Sequence, residues 1–569
     1  MKTTIGAYLV SRLRALGIQR IYGVPGDYNL EFLELLATPD GLDFIGNCNE
    51  LNAAYAADGE ARLNGVAAVL TTYGVGDLGA LPGIAGAYAE GAPVISISGA
   101  PPLAAIRSKA LLHHTLADGN YDNVMNCYRE FTVACTRITP ENAVQEIDRV
   151  LSACWREKRP VYLQLPSDIC FVEIEVPALP PAFESGPSDA KRLAMAVEVL
   201  KTRLTQAKRP LVLIDAMVRS ERIGELLERV IAHWDLPFAA LSTAKAVLPE
   251  TSPHFMGIYR GKGSAPALFD YAAQADCVLG FGLRFADATS GYFTHSLKAE
   301  ALIDIHAAEL RIDNVFYAGV KVVDLLTALA AASKPKRTKA RSFPSHAPVV
   351  PPVADGWTQD AFWQRISRFI APGDVVVAEN GTSNVGLSGQ TTPLPAGCSY
   401  VAQPVWGAIG YTLPALLGTL LAAPGRRQLL FIGDGSLQLT VQELSTILRH
   451  GLKPIIFLIN NDGYTIERLI LGENAAYNDI AMWHYTGLPA VFGPQIKAYT
   501  CCVETMAELE DALAQAEISD ALCLIEVKFA RMDAPSGMAA FCKKVTSYDY
   551  GAWTEEELAF SASCLDANN

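Results

Sequence analysis

The chain has 569 residues, half of them hydrophobic and 19% charged, with a formal net charge of −14. At roughly 100–200 residues per domain that is enough for three or four domains, and such a composition does not suit wholesale disorder. The acidic balance argues against a nucleic-acid partner, which needs surplus Lys and Arg to neutralise phosphates. No run of about 18 uncharged apolar residues marks a membrane span.

The chain opens MKTTIGAYLVSRLRALGI, in which Ile5, Leu9, Leu13 and Leu16 recur at helical spacing around Arg12 and Arg14. This predicts an amphipathic helix and not the unbroken apolar region of a signal peptide. Twelve cysteines are scattered without metal-ligand spacing, and Cys501 and Cys502 are adjacent. Buried reduced thiols of a cytoplasmic protein are expected.

A strand over 21–24 then leads into Pro25-Gly26-Asp27-Tyr28-Asn29, and the strand-like run DFIGNC into Asn49-Glu50-Leu51-Asn52-Ala53. Short apolar runs at 66–70, 93–99 and 160–165 alternate with longer helical patterns, and LLHHTLADG among them carries adjacent His113 and His114. Runs that are apolar on both faces suit covered parallel sheets, so the class is α/β. A Pro-rich passage at 176–188 closes this block. The second block holds strands at 210–215 and 276–282 but no GxGxxG fingerprint, and is expected to be structural. A second Pro-rich passage at 333–356, with a basic run read as a solvated linker, leads to the third block. The expected domains are 1–175, 189–335 and 356–555.

The third block carries the most specific pattern. After the strand QLLFI come Gly433-Asp434-Gly435-Ser436 and a helical stretch, and a second strand, PIIFLIN, runs into Asn460-Asn461-Asp462-Gly463-Tyr464. Asp434 and Asn461 therefore end two strands joined by one crossover, at the edge where open α/β sheets bind ligands. A hard divalent cation wants oxygen: Asp434 offers a carboxylate, Asn461 an amide oxygen and Gly463 a backbone carbonyl. Gly433 and Gly435 let the backbone approach phosphates, and Ser436 with the following helix start supplies donors.

GDGS followed by NNDG resembles the thiamine diphosphate signature of the family that includes pyruvate decarboxylase and acetolactate synthase. VPGDYN, NELNA, LLHHTLADG and GYTIE, in that order, resemble the pyruvate, indolepyruvate and branched-chain 2-oxo acid decarboxylases. The resemblance implies three doubly wound parallel-sheet domains (pyrimidine-binding, central, diphosphate-binding), thiamine diphosphate and Mg²⁺ as cofactors, and release of CO₂ and an aldehyde from a 2-oxo acid. It implies that Glu50 holds the pyrimidine ring nitrogen and that Asp27, His113, His114 and Glu467 surround the reactive carbon, Glu467 coming from a partner subunit. Each site would then need a dimer, and a tetramer is usual. Ser436, Gly463, Tyr464 and Thr465 would meet the diphosphate. Ile409, in WGAIG with Gly407, would be the wedge that bends the cofactor, with Thr382 and Ser383 lining it and Ile466 beside it.

The match departs from many relatives at Asn384, Val385 and Gly386, where bulky aromatics are common, and at Leu471, often His. Together with Ala288 in ADATSGYFTH, Ile466 and Ile470, the small residues are expected to make room for branched, aromatic or longer 2-oxo acids. Three alternatives stay open: a strict pyruvate decarboxylase, a carboligase of the acetolactate synthase type, and a silent cofactor-binding assembly protein. The adjacent histidines speak against the second and the complete residue set against the third.

Overall fold

The computed structural model describes residues 1–183, 186–333, 343–344, 356–388 and 392–551. The basic run of the second Pro-rich passage lies outside the described residues. Three large sheets account for most strands. The first runs, edge to edge, through Asp43–Gly46, Arg20–Gly23, Ala67–Thr72, Val94–Ala100, Val161–Pro166 and Cys135–Arg137. The last runs through Ser399–Val401, Val375–Ala378, Gln428–Gly433, Ile455–Asn460, Leu522–Lys528 and Ala498–Val503. Both are parallel throughout. When the strands of each are numbered in chain order, both read 2-1-3-4-6-5. The two ends of the chain therefore repeat one topology, and each has a switch point between its first and third strands.

The central sheet has seven strands. Its five parallel strands lie in the order Phe255–Ile258, Phe238–Ala240, Pro210–Ile214, Cys277–Phe281, Leu302–Ile305. Glu309–Ile312 and Val315–Ala318 then extend it antiparallel, a hairpin added to the otherwise parallel expectation. Glu309–Ile312 alternates exposed and buried, the pattern of a strand with one wet face, whereas Pro210–Ile214 and Cys277–Phe281 are buried throughout.

The first and third units share a hydrophobic core: Tyr55, Ala57 and Ile84 pack with Leu416, Ile432 and Leu458. Its centre is a helix pair, Glu50–Asn64 against Thr412–Ala422. Small residues make the close approach possible. A Cβ at Gly59 would lie 2.2 Å from the Ala415 carbonyl oxygen, and one at Gly418 would lie 1.9 Å from that of Ala56. Buried Asp58 adds polar registration across the pair, accepting from the Tyr411 hydroxyl at 2.6 Å and from Arg62 Nε at 2.7 Å. Among the described residues no helix is long and apolar enough to cross a membrane.

Candidate active site

The first group of expected residues gathers at the C-terminal edge of the first sheet. Asp27 opens a short 3-10 turn just after the strand Arg20–Gly23. His113 Nε2 lies 2.7 Å from Asp27 Oδ2, and the Tyr28 hydroxyl lies 3.4 Å from His113 Nδ1. That pairing suits an imidazole that donates to Asp27 through Nε2 and accepts through Nδ1. His114 stands edge-on to His113, with ring centroids 4.5 Å apart. Its Nδ1 is 3.8 Å from Asp27 Oδ1, beyond hydrogen-bond reach, and is buried without a partner among the described residues. His114 sits at φ +61°, held by close contact between its carbonyl and Gly74, where a Cβ would lie 1.9 Å from the oxygen.

Glu50 starts the helix Glu50–Asn64, capped by Asn49, whose side chain accepts from the Asn52 amide at 2.8 Å. Glu50 is half-buried against Gly76 and Gly79, where added Cβ atoms would each come within 3.3 Å of its carboxylate. The carboxylate accepts no hydrogen bond from the described residues, so its oxygens remain available to a bound donor.

The second group lies at the third sheet. Gly433 pairs in register with Ile459, so the two strand tips are neighbours. Asp434 Oδ1 accepts from the Gly435 amide at 2.8 Å and Oδ2 from the Gly463 amide at 2.9 Å. Burial pushes the Asp434 carboxyl up to about 6, against the pull of those two amides. The turn that carries the second tip is left-handed at Asp462 (φ +60°) and Gly463 (φ +111°). A side chain at Gly463 would meet the Asn478 carbonyl at 2.5 Å, and one at Gly435 the Tyr464 ring at 2.5 Å. Close packing therefore favours glycine at both positions, and at Gly463 the left-handed backbone does so as well. Asn461, Ser436 and Thr465 are buried here, and Thr465 donates to the Arg531 carbonyl at 2.7 Å.

Sequence comparison covers nearly the whole chain. The family described as thiamine pyrophosphate enzyme matches in three parts: its N-terminal TPP binding domain at residues 3–121, its central domain at 197–332 and its C-terminal TPP binding domain at 381–527. The chain is 39% identical over 547 residues to an alpha-keto-acid decarboxylase of Mycobacterium leprae (strain TN), covering 95% of each. It is 41% identical over 539 residues to a protein of that name from Mycobacterium avium (strain 104), covering 94% of this chain and 95% of the relative. The chain belongs to the thiamine pyrophosphate-dependent 2-oxo acid decarboxylases.

In this decarboxylase the residues present fit the cofactor they are expected to hold. Asp434 is a buried carboxylate that no Lys, Arg or His among the described residues pairs with, and the donor set beside it is all oxygen, which suits a hard divalent cation. Glu50 offers unfilled acceptors in a groove lined by glycine, and His114 has an unpartnered nitrogen.

The remaining expected residues are placed as follows. Thr382, Ser383 and Asn384 are buried in the helix Thr382–Ser388, which begins four residues after the strand Val375–Ala378. Asn384 Oδ1 accepts from the Tyr400 hydroxyl at 2.6 Å, so its amide is already engaged; Val385 is half-buried. Ile409 is 40% exposed, between the left-handed Gly407 and Gly410. Ile466 and Ile470 are half-buried and Glu467 exposed on the helix Thr465–Ile470. Ala288 lies in the short helix Asp287–Ser290 of the central unit. Within one chain no hydrogen bond or ion pair among the described residues joins the Asp27–His113–His114 cluster to Asp434 or Glu467.

Sequence reasoning missed a helix of the decarboxylase. Met538–Tyr550 lies along Thr465–Ile470, with the Thr546 hydroxyl donating to the Ile470 carbonyl at 2.7 Å. It also meets the Ala288 segment, where Tyr292 and Tyr548 rings are 5.1 Å apart. The buried Met538, Cys542 and Val545 recur at helical spacing, a periodicity legible in MAAFCKKVTSYDY. Glu379 and Glu443, both buried carboxylates at element ends, were missed as well; no motif announces either.

Proposed function

We propose that the decarboxylase converts 2-oxo acids to aldehydes and CO₂ with Mg²⁺ as the ion that seats thiamine diphosphate, and that it accepts branched, aromatic or longer acids. The observation that carries the cofactor seat is the meeting of Asp434 and Gly463 at the tips of neighbouring strands. When bound, the thiazolium is the electron sink that absorbs the pair left by departing CO₂, which no side chain can do. The protein positions and protonates. Asp434, Asn461 and the Gly463 carbonyl hold the ion, Ser436 and the turn Gly463–Thr465 meet the diphosphate, and Glu50 binds the pyrimidine ring nitrogen. Ile409 sets the angle between the rings, and Thr382 and Ser383 line the cofactor.

Asp27 and His113, hydrogen-bonded to one another, with His114 alongside, can store and deliver the proton that the product carbon requires. Glu467 completes that cluster from a second copy. The exposed apolar residues at both half-sites support this: Val75, Leu78 and Leu111 flank the first, and Ile409, Leu439 and Leu471 the second. Burying both sets requires an assembly of at least two chains, and a tetramer is two such pairs. The eleven described cysteines are free thiols, which supports a reducing, cytoplasmic setting.

Room for larger substrates is supported by the side chains themselves. Ala288, Val385, Ile466 and Ile470 are small or aliphatic, and Asn384 is folded onto Tyr400. A panel from pyruvate to 2-oxoisovalerate, phenylpyruvate and indolepyruvate, scored by kcat/KM, tests the reading. Larger acids should match or exceed pyruvate; turnover confined to pyruvate would refute the pocket assignment.

A further inference from the structure

We propose that Glu379 is a positioning residue that fixes the Ile409 turn against the cofactor seat. The proposal rests on the reading of Ile409 as the residue that sets the cofactor's ring angle. Glu379 follows the strand Val375–Ala378 at the switch point of the third sheet, where its own amide still pairs with the Phe431 carbonyl at 2.9 Å. Its side chain is buried and bonded entirely by donors. Oε1 accepts from the Asn380 amide at 3.0 Å. Oε2 accepts from the Thr412 hydroxyl at 2.7 Å, the Gly410 amide at 3.2 Å and the Thr412 amide at 3.4 Å. No Lys, Arg or His among the described residues pairs with it.

Those bonds join two segments that flank the same space. Asn380 leads to Thr382 and Ser383; Gly410 follows Ile409 directly. The Gly410 peptide is held from its other end too, because its carbonyl accepts from the Thr440 hydroxyl at 2.7 Å. Thr440 ends the helix Asp434–Thr440, whose first residue is the expected metal ligand. Gly410 presses on that helix so closely that a Cβ would lie 2.9 Å from Leu439 Cβ and 3.1 Å from the Ser436 carbonyl oxygen. One residue is thus clamped by its amide to the strand tip and by its carbonyl to the helix Asp434–Thr440, while the neighbouring Ile409 side chain stays exposed.

The chemistry explains why a carboxylate stands here. Four donors converge on two oxygens, which a carboxylate accepts without conflict when ionised; they pull against burial, which pushes the Glu379 carboxyl up to about 7. An amide has one acceptor oxygen, and its NH₂ would face donors. Glu379 also caps the first turn of the helix Thr412–Ala422, where negative charge is favoured. That helix carries Ala415 and Gly418, against which the helix of Glu50 is packed, so the same side chain also references the seam between the first and third units.

The test uses the full chain carrying Glu379→Gln or Glu379→Ala, with Ile409→Ala as the variant in which the clamp is intact and the contact is lost. In the apo-protein, amide hydrogen exchange over residues 407–413 should rise at least ~10-fold in both Glu379 variants and stay at the wild-type level in Ile409→Ala. With thiamine diphosphate and Mg²⁺ bound, exchange of the cofactor's C2 proton should slow at least ~10-fold in all three. In Glu379→Gln the thermal midpoint and cofactor affinity should change far less than that rate. Unchanged amide protection in folded Glu379→Gln, or C2 exchange at the wild-type rate in it, would overturn the proposal. Wild-type protein that bound no thiamine diphosphate would instead overturn the functional reading beneath it, a failure distinguishable because the amide-exchange comparison needs no cofactor.

Discussion

The side-chain amide of Asn52 donates to the Glu443 carboxylate at 2.8 Å, across the seam between the first and third units. The other oxygen of Glu443 accepts from Asn47 Nδ2 at 2.8 Å, and the Cys48 amide lies 3.3 Å from the oxygen that Asn52 uses. Glu443 begins the helix Glu443–Arg449, which follows Asp434–Thr440, and its three donors bracket Glu50. A carboxylate of the third unit therefore holds the loop that presents Glu50.

Glu443→Ala should consequently be costly. It strands the buried Asn52 side-chain amide and removes the acceptor of the half-buried Asn47 amide and of the Cys48 N–H, a loss of about 1–3 kcal/mol. Urea unfolding measures it, and a change under about 0.5 kcal/mol would show that the seam does not depend on this side chain.

Asp434→Ala removes a carboxylate ligand from the proposed ion. Cofactor loaded in Mg²⁺ should then be lost on dialysis, whereas the wild type retains it. Normal retention would remove Asp434 from the metal site.

Glu50→Gln keeps the shape of the helix start but cannot stabilise a protonated pyrimidine nitrogen in the same way. Exchange of the cofactor's C2 proton should fall by roughly 100-fold or more, the scale of a lost acid–base partner. The helix cap by Asn49 is untouched, so stability should hold. An unaltered exchange rate would end the assignment.

Gly418→Ala tests the helix pair. The new methyl would lie 1.9 Å from the Ala56 carbonyl oxygen, and backbone cannot yield without separating the helices. Overpacking of this kind costs about 1–3 kcal/mol. A thermal midpoint equal to that of the wild type would show that the approach is looser than described.

Asp77 gives a pH signature. It is fully buried, and burial pushes its carboxyl up to about 6, although Thr71, Ser98, Tyr162 and the Gly74 amide all donate to it. An unfolded Asp titrates near 3.9, so the folded state binds the proton more tightly. The stabilisation is complete below about pH 4 and is lost as pH rises through 6. Relative to Asp77→Asn, the wild type should lose about 2 kcal/mol between pH 4 and pH 7. A difference that is flat or grows with pH would contradict this.

Much of the molecule was written locally. Strand runs such as QLLFIG and PIIFLIN are apolar on both faces, which calls for a covered parallel sheet; Gly433–Ser436 and Asn461–Gly463 fall at their ends, where the chain must turn out of the sheet. Other features could be settled only in three dimensions. The repeated 2-1-3-4-6-5 order depends on which strands pair, and pairing is not encoded in any one strand. The close packing of Gly59 on Ala415 and of Gly418 on Ala56, and the helix Met538–Tyr550 against Ile470, join segments tens to hundreds of residues apart. Glu379 and Glu443 show the reason most plainly. A lone glutamate in sequence is by default a solvated surface charge; it becomes a buried clamp only when donors from distant segments arrive on its oxygens, and tertiary packing alone brings them there.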